Sequence, residues 1–182
     1  MVDGHTDNEK ELIQRATEGE SSAFGLLYDR YQPAIYRFIY LKVSRREDAE
    51  DLTHQVFLSA WQTIEHFIDH GLPFASWLYR IARNKVIDHY RTQHTPIHIE
   101  AIAEEALGAT EGIEKETATR LDMQRVMEAL KMLSHEQQDI ILMRFVQELS
   151  HKEIARAIGK TQGAVRIIQM RALKKIKKAI EQ

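Results

Sequence analysis

Nearly every segment of the chain places its apolar residues three or four apart, the repeat of one helical face, and no segment alternates as a half-buried strand does. In residues 150–171, SHKEIARAIGKTQGAVRIIQMR, this pattern predicts two short helices around a tight turn. Ser150 and Glu153 have capping-box spacing at the first helix's start. Ile154, Ala155 and Ile158 form its apolar face, and Gly159 supplies the left-handed exit. Thr161 is placed to cap the second helix, whose inward stripe is Val165, Ile168, Ala172 and Ile176. Small Ala155 lets the pair pack closely, as in a helix-turn-helix. Gln162, Arg166, Ile167, Met170 and Arg171 then face outward, where a recognition helix meets base edges and phosphates. The plain alternative is a helical hairpin with a solvated charged face.

Upstream, the same periodicity predicts a helix from about Asn8 to Thr17, closed by Gly19. In AFGLLYDRYQPAIYRFIYLKV, the inward face is Phe24, Leu27, Tyr31, Ile35, Phe38 and Leu41. Pro33 is expected to kink or divide this helix, because proline lacks an N–H and crowds the preceding turn. Ser44 and Glu47 repeat the capping-box spacing and open a helix to about Phe67, with Ala49, Leu52, Val56, Ala60, Ile64 and Phe67 inward. IDHGLP, residues 68–73, reads as a loop. FASWLYRIARNKVIDHYR then forms a helix to about Arg91 around Trp77, Leu78 and Ile81, with Trp77 and Tyr90 read as core.

Residues 92–116 change character: six glutamates stand against one lysine and the periodicity lapses. A helical pattern resumes near Arg120. The predicted fold is therefore all-α, with two small helical domains (8–91 and 119–182) joined by a flexible acidic linker over 92–118.

With 43% apolar residues the 182-residue chain has material for real cores. The absence of cysteine excludes disulfides, thiolate zinc sites and cysteine nucleophiles. MVDGHTDNEKEL lacks the apolar centre of a signal peptide, and no stretch is apolar enough to span a bilayer. A cytoplasmic chain without membrane insertion is expected. The formal charge of −2 gives no hint of a nucleic-acid partner, yet Lys160, Arg166, Arg171, Lys174, Lys175, Lys177 and Lys178 lie in a stretch to Ile180 with no acidic residue. Joined to the helix-turn-helix, that stripe suits phosphate contact.

Two blocks carry a resemblance. EDAEDLTHQVFLSAW at 47–61, followed by FASWLYRIARNKVIDHYR at 74–91, resembles the second conserved region of bacterial RNA polymerase sigma factors. LKMLSHEQQDIILMRFVQELSHKEIARAIGKTQGAVR resembles the fourth region. The length matches the short extracytoplasmic-function class of the sigma-70 family. The resemblance implies a bacterial factor that binds core polymerase and directs initiation at promoters, reading the minus-35 and minus-10 elements and aiding strand separation. Its implied partners are the clamp helices of the largest polymerase subunit, the flap of the second subunit, promoter DNA and an anti-sigma factor.

Residue roles follow from that resemblance. Asp51, His54, Gln55, Leu58 and Gln62 share one helix face, where an apolar Leu58 among polar neighbours suits partner docking. With Asp48 they are the expected polymerase-docking set. The family commonly has Gln-Glu where this chain has His54-Gln55, which weakens the acidic partner for a clamp arginine. Phe67, Asp69, His70, Tyr79, Arg80, Arg83 and Asn84 are expected to read the minus-10 element. Arginines beside aromatics hold phosphates while bases stack, and the 67–73 loop would capture a flipped base. Lys160, Thr161, Gln162, Arg166, Ile167, Met170, Arg171 and Lys174 are expected to read the minus-35 duplex, with Arg166 bidentate to guanine. The acidic linker would thread the polymerase's active-site cleft, or serve only as a tether.

Other readings remain open from the residues alone. A self-sufficient helix-turn-helix regulator would bind duplex without polymerase, and a pure polymerase-binding protein would show no sequence preference. An enzyme is not expected. His66/His70 and His94/His98 have i, i+4 spacing but no carboxylate cluster to complete a metal site, and no phosphate-binding glycine loop or nucleophile–base pair is visible. No cofactor or metal is expected.

Overall fold

The computed structural model describes residues 6–43, 45–67, 73–93 and 128–180, and all regular structure among them is helical. The elements are α1 (Thr6–Thr17), α2 (Ser21–Val43), α3 (Arg46–Thr63) with a 3₁₀ turn at Ile64–His66, α4 (Phe74–Gln93), α5 (His135–Ile141) continued by a π turn at Leu142–Val146, α6 (His151–Ile158) and α7 (Gln162–Ile180). A further helical turn covers 128–131. Most of the expected acidic linker lies outside the described residues, although Thr92 and Gln93 belong to α4.

The N-terminal domain packs α1 to α4 around the apolar stripes. Leu27, Ile35 and Phe38 of α2 meet Ala49, Val56 and Ala60 of α3 and Leu78, Ala82 and Val86 of α4, all essentially inaccessible. Gly19, at φ +92, lets the chain reverse between α1 and α2. Pro33 does not divide α2, which runs unbroken to Val43. Asp29 and Pro33 both lie on the exposed side, where water can reach the carbonyl that loses its N–H partner. The expected Ser44 cap falls outside the described residues. Arg45 takes the N-cap position of α3 without a side-chain cap, and Glu47 and Asp48 supply negative charge in the first turn.

Two reciprocal capping boxes order the C-terminal domain. The Ser134 side chain accepts from the Gln137 N–H at the start of α5, and the Ser150 side chain accepts from the Glu153 N–H at the start of α6. In return the Gln137 and Glu153 side chains accept from the Ser134 and Ser150 N–H groups, so each box satisfies two orphan donors at its helix N-terminus. At the far end of α5, the Gln147 N–H reaches the Leu142 carbonyl and the Leu149 N–H reaches that of Met143. Glu148 closes this turn at φ +56, a left-handed position usually left to glycine.

The two domains share one continuous core. α4 packs along α6, and α2 touches the π turn. The last six residues of α2, Phe38 to Val43, are all buried, which no single-faced helix would achieve. α3 and α4 cover one side of this segment, and the C-terminal domain covers another.

Candidate nucleic-acid interface

α6 and α7 form the expected helix-turn-helix. Gly159 ends α6 at φ +70, and the Lys160 N–H closes the turn on the Ala155 carbonyl. The Thr161 hydroxyl accepts from the Ala164 N–H at 3.2 Å and caps α7. Val165 and Ala172 are buried and Ile168 and Ile176 are partly so, which fixes the helix's rotation. Thr161, Gln162, Arg166, Ile167, Met170, Arg171 and Lys174 consequently face solvent together. Met170 is 64% exposed and Ile167 is 49%, beside cationic neighbours and without an apolar cover among the described residues. Lys160 is also on this rim but pairs with Glu136 at 3.1 Å. Behind the face, His151 Nε2 lies 2.6 Å from Gln169 Oε1, tying α7 to the start of α6. No short-range pattern in the sequence points to that tether or to the Lys175–Gln137 bond at 3.1 Å, because the partners stand 18 and 38 positions apart.

On α3, Asp51, His54, Gln55, Leu58 and Gln62 share the exposed face opposite the core, and Leu58 is 48% exposed. The face therefore has the expected composition, an apolar centre in a polar surround. Asp48 sits apart from it, half-buried and within 3.7 Å of Arg45 and 3.8 Å of His89. Beside His54 an open cleft of about 650 Å³ separates α2 from α3, walled by Tyr28, Pro33, Tyr36 and Arg37.

α4 divides the expected minus-10 set. Arg80 and Asn84 are exposed. Phe67 is half-buried in a ring cluster with Phe74 and Trp77, with centroids 5.1–5.5 Å apart, which holds the end of the 3₁₀ turn against α4. Asp69 and His70 lie outside the described residues. Tyr79 is not a surface residue: it is 2% exposed, edge-on to Phe38, and its hydroxyl donates to Gln147 Oε1 at 2.9 Å. Burial pushes its phenol well above the ordinary range. The reason is the C-terminal domain, which covers this side of α4.

Arg83 is covered by the same domain. Its Nε donates to Asp139 Oδ2 at 2.8 Å, and the other carboxylate oxygen of Asp139 accepts from Lys42. Asp139 and Lys42 are respectively 0% and 1% exposed, and the Lys42 ammonium also lies 5.7 Å from the Phe38 ring centre. Tyr90, expected in the core, is half-buried; its hydroxyl donates to the Lys42 carbonyl and its ring meets that of His135. Burial raises the Tyr90 phenol to about 12. No local pattern in the sequence joins Lys42, Arg83 and Asp139, whose pairings span 97 and 56 positions. Among the described residues, no group of three or more histidine or acidic side chains forms a metal-binding cluster, and no helix is long and apolar enough to cross a membrane.

Comparison with known proteins finds two family regions in the chain. Sigma-70 region 2 matches residues 27–95 and Sigma-70 region 4 matches residues 129–178. The ECF RNA polymerase sigma factor BldN of Streptomyces coelicolor is 39% identical over 90% of this chain, which spans 62% of that relative's length. The ECF RNA polymerase sigma factor SigD of Mycobacterium tuberculosis is 30% identical, with 93% of this chain aligned to 82% of that one. The solved structure of CnrH in complex with the cytosolic domain of CnrY superposes with a TM-score of 0.71 at 25% identity, covering 96% of this chain and 97% of that one. The chain belongs to the sigma-70 family of RNA polymerase sigma factors, in its extracytoplasmic-function group.

Proposed function

We propose that the protein binds core RNA polymerase and directs initiation at promoters by reading a minus-35 element with α7 and a minus-10 element with α4. The observation that carries this reading is the joint presence of regions 2 and 4, each with an exposed face of fitting chemistry. On α3, Leu58 within Asp51, His54, Gln55 and Gln62 offers an apolar anchor and a polar rim to the polymerase clamp helices. The cleft beside His54 has room for a side chain of that partner. The C-terminal domain is expected to meet the polymerase flap.

On α7, Arg166 is the residue for a bidentate guanine contact, because its planar fork matches the two acceptors of that base in the major groove. Ile167 and Met170 suit thymine methyl groups, while Arg171 and Lys174 position the backbone. On α4, Arg80 and Asn84 contact the separated strand directly. Arg83 joins them only after it leaves Asp139. The structural relative CnrH is held by the cytosolic domain of another protein. We extend this to the present chain as an anti-sigma factor covering the α3 and α4 faces. The chain works with polymerase in the bacterial cytoplasm, a reading that its family membership supports, and the binding energy it supplies requires no catalytic group of its own.

Abortive transcription with purified core polymerase on candidate promoters tests the reading. Short RNAs that require both this protein and one promoter sequence are the expected result. Tight duplex binding without polymerase would instead favour a self-sufficient regulator, and polymerase binding without promoter preference would favour an inhibitor.

A further inference from the structure

The buried cluster between the domains contains one carboxylate and two cations. Asp139 is wholly inaccessible and faces Lys42 from α2 and Arg83 from α4. The surrounding contacts come from both domains: Tyr79 donates to Gln147, Tyr90 meets His135, and α4 lies along α6. Arg83 is thus occupied by a carboxylate, and Tyr79 is roofed over. In this closed arrangement Tyr79 is out of a nucleic acid's reach, and Arg83, 23% exposed, has its Nε already taken by Asp139.

The closure also has the marks of one that opens. Burying an ion pair costs desolvation that its attraction scarcely repays, so such pairs specify a geometry more than they stabilise it. Here the two cations exceed the single anion by one charge, which favours any competing polyanion. Gln147 spends its carbonyl oxygen on Tyr79, while its side-chain N–H group is buried with no hydrogen-bond partner. A polar network left incomplete in this way releases strain when water returns.

We propose that Asp139 is an internal latch: it occupies Lys42 and Arg83 in the free chain, holds the two domains closed and masks the strand-reading face of α4 until the domains separate. The carboxylate stands where a phosphate of the melted strand would stand. This inference rests on the reading of α4 as a nucleic-acid surface, but the closure itself can be measured without it.

The chain has no cysteine, so a pair introduced at exposed Glu47 and Lys152, one in each domain, can be spin-labelled without background. In the full chain, electron–electron distance measurement is expected to give a dominant narrow distribution with no more than about a tenth of the pairs at longer separations, and Asp139→Asn is expected to shift the population toward those longer separations. The unlabelled Asp139→Asn chain should bind a fluorescein-labelled AT-rich single strand about tenfold more tightly, as follows when the competent fraction rises from about a tenth to nearly all. The apolar triple Lys42→Met, Arg83→Met and Asp139→Leu, which leaves no charge of the cluster unpaired, should keep the narrow distance distribution. Should Asp139→Asn lose its helical signal, Asp139→Ala, a stronger helix former that removes the carboxylate and keeps Arg83, should lengthen the distance in its place. A broad distribution in the starting chain, or no lengthening in a folded latch variant, overturns the closure. An opened variant whose affinity for the strand does not change overturns the masking. Failure of the opened variant to start RNA chains with core polymerase would count against the proposed function and leave the closure standing.

Discussion

His135 sits at the domain boundary with its ring against Tyr90, facing Lys42 of α2 and Arg83 of α4, with Asp139 one turn along its own helix. Although His135 keeps an exposed edge, its partial burial, and then the Lys42 charge, lower its pKa from the ordinary 6.5, with Arg83 acting in the same direction and Asp139 opposing. The closed chain therefore binds this proton less readily than an opened chain does. By linkage, the stability His135 contributes to closure is present above its ordinary value and is lost as pH falls through the window below 6.5. Interdomain distance followed against pH should lengthen on acidification through that window, and His135→Asn should flatten the profile. None of this was legible locally: HEQQDII reads as a polar helix start, yet Gln137, Gln138 and Asp139 are all buried.

At the scale of elements, local chemistry decided most of the outcome. The Ser150–Glu153 box, the Gly159 exit and the α7 stripe were all readable, because each depends on residues within a few positions of one another. The Ser134–Gln137 box carries the same three-residue spacing, with glutamine in place of glutamate. Ser150→Ala should cost about 1 kcal/mol of stability by removing the acceptor for the Glu153 N–H, whereas Ser150→Gly should cost only a few tenths. Urea melts of the two variants give the comparison. On α7, Arg166→Ala should cost about 1–3 kcal/mol of promoter binding and relax preference at one base position. Lys174→Ala should weaken all duplexes alike and reduce the salt dependence by about one counterion. Binding titrations over a salt series, on a set of single-base promoter variants, separate the two roles. If both substitutions lower affinity evenly across the set, Arg166 is a phosphate contact and the base-reading assignment fails.

Over the whole molecule, the sequence pattern predicted two domains and their helices but not that they share a core. Lys42 and Asp139 are 97 positions apart, and no local period links them. Tyr79 follows Leu78 in a helix whose partner on that side is supplied from the far end of the chain, so its burial could not be read from α4 alone. The shared core makes a prediction about cooperativity. Both tryptophans, Trp61 and Trp77, lie in the N-terminal domain, so their fluorescence reports that domain alone while far-ultraviolet circular dichroism reports every helix. With the domains closed, the two probes should follow one coincident denaturant transition, the test of two-state behaviour. Asp139→Asn uncouples the domains, and the circular dichroism curve should then part from the fluorescence curve as the C-terminal helices melt separately. The direction of that separation is fixed by construction: the small C-terminal unit loses the cover of α2 and α4, exposes the apolar side of α6, and has less surface left to bury. It should melt first, at lower denaturant, while the tryptophan transition moves little. Coincident curves in a folded Asp139→Asn chain would mean that apolar packing of α4 on α6 holds the domains together without the ion pair.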